Sequence, residues 1–114
     1  MCSKSELQII LSEIAAVAKK TFGEKLDSVI LYGSYARDDY TSDSDVDIMI
    51  LVNGIEPQDL WRYRAPVIEK SSELGLRYDV LITPLIKDSA TFKKYVHVLP
   101  FYQNVEKEGI RIGA

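Results

Sequence analysis

Apolar residues recur along this chain with two different periods, and the switches between them predict its elements. Leu7, Ile10, Leu11, Ile14, Val17 and Ala18 return at steps of three and four, the stripe of an amphipathic helix. Ser3 with Glu6, or Ser5 with Gln8, fits a capping box at its start. Lys19 and Lys20 suit its negative end, and Gly23 suits its stop. Leu26 and the apolar run at residues 29–32 predict a buried strand. Gly33-Ser34 breaks that run, and Tyr35-Ala36-Arg37 opens a short helix. A polar loop at residues 38–44 leads into a second strand, Val46–Val52. Alternation puts Val46, Ile48, Ile50 and Val52 on one face, and Asp45, Asp47, Met49 and Leu51 on the other. Asn53-Gly54 marks a turn.

Pro57 is a natural first residue for a helix beginning near Glu56. Leu60, Trp61, Val67, Ile68 and Leu74 form its apolar side, and Gly75 is its expected end. Pro66 predicts a kink or two helices meeting there. Trp61 reads as a packing residue. Residues 77–83 alternate as a third strand, with Arg77, Asp79, Leu81 and Thr83 on one face and Pro84 at its end. Residues 86–98 read as a loop and a short helix containing Phe92, Tyr95 and Val96. Pro100 starts a last helix through Phe101, Tyr102 and Val105, stopped by Gly109. This order predicts an α/β (α+β) fold, a small mixed sheet packed with helices, in a single domain over residues 1–114.

Composition narrows the function classes. The chain is 46% hydrophobic and 27% charged, enough for one core on a soluble surface. Its net charge of -3 gives no strong nucleic-acid signal, since such binders carry a basic face. No apolar run approaches the ~20 residues of a membrane span. The start, Met-Cys-Ser-Lys-Ser-Glu, lacks a signal-peptide core, and Cys2 has no partner for a disulfide. The expected location is therefore cytoplasmic, with Cys2 an unremarkable thiol.

The chemistry gathers at residues 31–52. Asp is depleted in strands, because its short side chain competes for backbone hydrogen bonds. Asp45 and Asp47 lie two positions apart, about 6.5 Å between Cα atoms on a strand, with side chains on one face. Asp79, if its strand is a neighbour, completes a set of hard oxygen ligands suited to two Mg²⁺ or Mn²⁺ ions. Gly33 lets a phosphate approach the backbone, and Ser34 and the following helix start supply donors. One turn that holds phosphates beside a strand that holds cations suits phosphoryl or nucleotidyl transfer.

Gly33-Ser34-Tyr35-Ala36-Arg37 followed by Ser44-Asp45-Val46-Asp47-Ile48 resembles the DNA polymerase beta-like nucleotidyltransferase superfamily. Within it, the chain resembles the minimal nucleotidyltransferases that act as antitoxins to HEPN-domain toxins. The resemblance extends to the Tyr-Asp-Val-Leu stretch and the Pro-Phe-Tyr-x-Asn-Val-x-x-Glu-Gly end. It implies a nucleotidyltransferase fold, with Asp45, Asp47 and Asp79 as the metal triad. It implies Gly33 and Ser34 at the nucleotide triphosphate, with Arg37 assisting. It further implies Mg²⁺-dependent transfer of AMP from ATP to a tyrosine of a HEPN ribonuclease toxin. The family often has Gly where this chain has Asp38, so the loop geometry and charge beside the phosphates are where it departs.

Little chain remains for an acceptor domain, so a partner protein is expected, with Tyr35, Tyr40, Tyr63, Phe101 and Tyr102 as candidate contacts. The competing reading is a binding module that occludes the toxin without catalysis. Small-molecule adenylylation and polymerase activity fit less well. His97 reads as structural, and Arg62, Arg64 and Lys70 as a solvated helix face.

Overall fold

The computed structural model describes residues 2–112. Helix α1, Lys4–Phe22, opens with the capping box: the Glu6 N–H donates to the Ser3 hydroxyl at 3.1 Å, and the Ser3 N–H donates to the Glu6 carboxylate at 2.8 Å. Strand β1 is Leu26–Tyr32, helix α2 is Ser34–Arg37, and β2 is Val46–Val52. A 3₁₀ segment, Pro57–Tyr63, runs into α3, Arg64–Tyr78. Strand β3, Ile82–Asp88, helices α4, Ser89–Tyr95, and α5, Pro100–Glu108, and strand β4, Ile110–Ile112, complete the chain.

The four strands form one mixed sheet in the order β3-β2-β1-β4. β1 runs antiparallel to β2 and β4, and β2 runs parallel to β3. The alternation of β2 divides the core as its pattern predicts. Val46, Ile48, Ile50 and Val52 pack with Ile10, Ile14, Val67 and Leu74 of α1 and α3. Met49 and Leu51 face the other way, onto Phe92, Tyr102 and Val105 of α4 and α5. Asp47 lies on this second face, at the end of the sheet where that cluster stops.

Several sequence-based boundaries move. Pro66 falls in the first turn of α3, where its missing N–H has no acceptor to serve, so the 3₁₀ and α segments meet just before it. Gly75 lies inside α3 rather than at its end. A Cβ there would press on the Val80 carbonyl oxygen at 2.7 Å, so the residue is small for packing. The helix continues to Tyr78 and stops on Asp79, in the left-handed region at φ 52°. The third strand therefore begins at Ile82, five residues later than the alternation suggested. Pro84 sits within it, tolerated because β3 is an edge strand. β4 was not foreseen, since three residues carry no readable period.

Candidate active site

The central stretch builds a compact corner. β1 ends at Tyr32, and Gly33 follows at φ 76° and ψ -159°, a combination open essentially only to glycine. Its second constraint is steric. A Cβ on Gly33 would collide with the Asp47 carboxylate and lie 3.3 Å from its Cγ. The Gly33–Ser34 turn is thus packed directly against Asp47. The Gly33 carbonyl accepts from the N–H groups of Ala36 at 3.1 Å and Arg37 at 3.2 Å. Ser34 and Tyr35, at the start of α2, have N–H groups with no acceptor inside that helix.

The loop returning to β2 is fixed by local contacts. Tyr40 stacks on the buried Tyr35 with ring centroids 4.2 Å apart and planes 10° from parallel. Such a pair contributes about 0.5–1.5 kcal/mol beyond burial. The Thr41 N–H donates to the Ser44 hydroxyl at 2.9 Å, closing the turn that delivers Asp45. Asp38 ends α2 in the left-handed region at φ 63°. Asp tolerates this conformation better than most residues do, and its exposed side chain adds a charge there.

Asp47 occupies the middle of a row across three strands. Tyr32 of β1 is its antiparallel partner and Thr83 of β3 its parallel one. The Thr83 hydroxyl donates to Asp47 Oδ1 at 2.6 Å, which orients the half-buried carboxylate. Burial, and then the Asp47 charge, push the Tyr32 hydroxyl up to about 12. Neither Tyr32 nor Thr83 was singled out from sequence. The signal existed only in the register, which places both on the Asp47 face.

The predicted acidic triad is divided. Asp45 precedes β2 by one residue and lines a hollow of about 560 Å³ with Asp43, Asp79 and Ser72. Asp47 instead faces Gly33 and Thr83. Asp79 is on no strand. Its strand is indeed the neighbour of β2, but the residue beside Asp47 is Thr83, and Asp79 is spent as the exposed stop of α3. Among the described residues no group of three His, Cys, Asp or Glu is placed to hold a metal ion. Asp47 is a hard carboxylate donor beside the turn and Asp45 one on the hollow, and oxygen donors of this kind fit a divalent cation such as Mg²⁺.

Arg37 is committed to two carboxylates. Its Nε lies 3.1 Å from Asp39, and its Nη1 lies 3.2 Å from Glu108, tying α2 to the end of α5. Those hydrogen bonds hold the guanidinium above its ordinary value. Of the aromatic candidates for a partner, Tyr35 and Tyr102 are buried, and Tyr63 packs on Phe22 with centroids 5.6 Å apart. Phe101 is open, at 45% exposure. Trp61, expected to pack, is 60% exposed with the Arg62 guanidinium 5.7 Å from its ring centroid. Cys2 is buried in the larger cluster, and His97 is exposed. No helix among the described residues is long and apolar enough to cross a membrane.

Known proteins resemble this chain in sequence and in fold. The profile of the nucleotidyltransferase domain family matches residues 11–112. "Putative protein adenylyltransferase MJ0141" of Methanocaldococcus jannaschii is 36% identical over 107 residues, covering 94% of this chain and 99% of that protein. In structure, the chain is similar to "a putative nucleotidyltransferase from Sulfolobus solfataricus", with a TM-score of 0.57, 24% identity, and coverage of 95% and 82% of the two chains. It is also similar to a chain of the complex of tri-AMPylated Shewanella oneidensis HEPN toxin with MNT antitoxin. That match has a TM-score of 0.51 and 18% identity, and covers 94% of this chain and 72% of the other. The match over nearly the whole length, on a fold that sets a glycine turn against a strand aspartate, makes the chain a member of the nucleotidyltransferase domain family.

Proposed function

We propose that this chain is an antitoxin nucleotidyltransferase that transfers AMP from ATP to a tyrosine of a HEPN-domain toxin, releasing pyrophosphate. The packing of Gly33 on the Asp47 carboxylate carries the reading, because it sets the phosphate turn and the acid within contact of each other. Gly33 and Ser34 hold the triphosphate, with the N–H groups at the start of α2 as donors. Asp45 and Asp47 would hold Mg²⁺ or Mn²⁺, whose charge, when bound, neutralises the phosphates. Thr83 keeps Asp47 in one orientation for that task. Asp79, across the hollow from Asp45, adds negative charge nearby rather than the third vertex of a triad. Arg37 turns toward the leaving pyrophosphate only by releasing Asp39 or Glu108, exposed pairings that cost little to break. A relative named as a putative protein adenylyltransferase supports transfer to a protein, and the fold shared with a chain of a HEPN toxin–MNT antitoxin complex supports a toxin as acceptor.

The test is incubation of the purified chain with ATP, Mg²⁺ and a candidate HEPN-domain toxin from the same organism. A mass gain of one AMP on a toxin tyrosine is expected. An unchanged toxin mass refutes the enzymatic reading.

One observation favours a second reading. Thr83 stands beside Asp47 where a third carboxylate was expected, which suits a binding antitoxin that occludes the toxin. An Asp45→Asn/Asp47→Asn variant separates the two. Full protection of cells from the toxin by that variant supports occlusion, and lost protection supports transfer.

A further inference from the structure

The aromatic rings on the Asp47 face form a chain that ends in the open. Phe92 meets Tyr102 edge-on at 5.3 Å, Tyr102 meets Phe101 at 5.6 Å, and Phe101 meets Tyr32 edge-on at 5.6 Å. Phe92 and Tyr102 are buried, and Phe101 is 45% exposed. Tyr32 is the cross-strand partner of Asp47 and the residue immediately before Gly33. The exposed Phe101 ring therefore packs on the ring of Tyr32, whose backbone pairs with Asp47 and leads into the Gly33–Ser34 turn.

Phe101 presents an open aromatic face next to Tyr32. Neighbouring residues do not need it for the core, because Tyr102 and Val105 already fill that side of α5. A nucleotide whose triphosphate lies on the Gly33–Ser34 turn has its base at the other end of the molecule, where an aromatic face is the natural receptor. We propose that Phe101, braced by Tyr32, is the stacking platform for the nucleotide's base, and so sets how tightly ATP is distinguished from its phosphate chain alone. This assignment rests on the nucleotidyl-transfer reading above.

Equilibrium binding of ATP and of inorganic triphosphate, each with Mg²⁺, tests it by calorimetry on the wild-type chain, Phe101→Ala and Phe101→Trp. Wild type should bind ATP more tightly than triphosphate. Phe101→Ala should weaken ATP about ten-fold, the scale of one lost stacking partner, and leave triphosphate unchanged. Phe101→Trp should restore ATP binding. The platform is overturned if Phe101→Ala binds ATP like wild type, or if it loses ATP and triphosphate equally. It is overturned too if wild type binds the two ligands with equal affinity, which leaves the transfer reading standing. If wild type binds neither ligand, both readings fall. Lost transfer to a protein acceptor with intact ATP binding would make Phe101 a partner contact and reject the platform.

Discussion

Replacing Gly33 with alanine should destabilise the chain through two separate terms. The backbone at φ 76° and ψ -159° lies where non-glycine residues are strained by about 1–3 kcal/mol. The new Cβ would also overlap the Asp47 carboxylate, and forcing an extra carbon into a packed site costs about 1–3 kcal/mol. Restricting the unfolded chain returns about 0.4–1 kcal/mol. The expected net loss is about 2–4 kcal/mol, a large part of a small domain's stability. Gly23 provides the control. It adopts φ 55° and ψ -127°, and a Cβ there meets nothing within 4 Å. Gly23→Ala should show the strain without the overlap. Asp47→Ala removes the colliding carboxylate and leaves its Cβ 3.5 Å away, an ordinary contact. Gly33→Ala/Asp47→Ala should therefore recover about 1–3 kcal/mol relative to the sum of the single changes. Urea unfolding with matched m-values measures all four variants. The reasoning fails if Gly33→Ala costs no more than Gly23→Ala, or if the coupling is below about 0.5 kcal/mol, the ordinary error of additivity.

Asp38→Gly should raise stability by about 0.5–1 kcal/mol in the same assay, since glycine fits the left-handed stop of α2 and the exposed contact to Lys4 contributes little. Thr83→Val should cost about 1–2 kcal/mol by removing a hydrogen bond to a carboxylate, and Thr83→Ser should cost less because it keeps the donor. Tyr32 is neutral when protonated, and its folded value of about 12 lies above the ordinary 10.0. Above pH 10 the unfolded chain therefore releases this proton first, so stability is full below that pH and falls as pH rises toward 12. Tyr32→Phe should flatten this part of the profile in unfolding curves, and an unaltered alkaline slope would contradict the assignment.

The readable parts of the sequence were those in which a local pattern and a long-range demand agree. The capping box at Ser3 and Glu6, the strand Val46–Val52 and the last helix from Pro100 all combine a boundary residue with a clear apolar period. The Gly33 turn before its short helix was legible for the same reason. The stretch at residues 77–83 misled because its alternation is genuine but short. Tyr78 instead packs one turn beyond Leu74, and the Lys70, Glu73, Arg77 and Glu13 ion pairs hold the last turns of α3 helical. Asp79 therefore ends α3 in place of its expected position within the strand. Tyr32 and Thr83 were invisible because their role comes from register across three strands, a property that no window of sequence contains. Trp61 shows the limit of hydrophobicity alone, since a large apolar residue in a 3₁₀ turn need not face the core.

The proposed function requires the Gly33–Ser34 turn and Asp47 to form one site for a metal-bound triphosphate. Titrating Mn²⁺ with ATP into the labelled chain, and following the broadening of amide NMR signals, locates that site directly. Gly33, Ser34, Asp45 and Asp47 should broaden first, and Asp47→Asn should abolish the effect. Broadening centred on Asp79 and Ser72 instead, or unchanged in Asp47→Asn, would contradict that function.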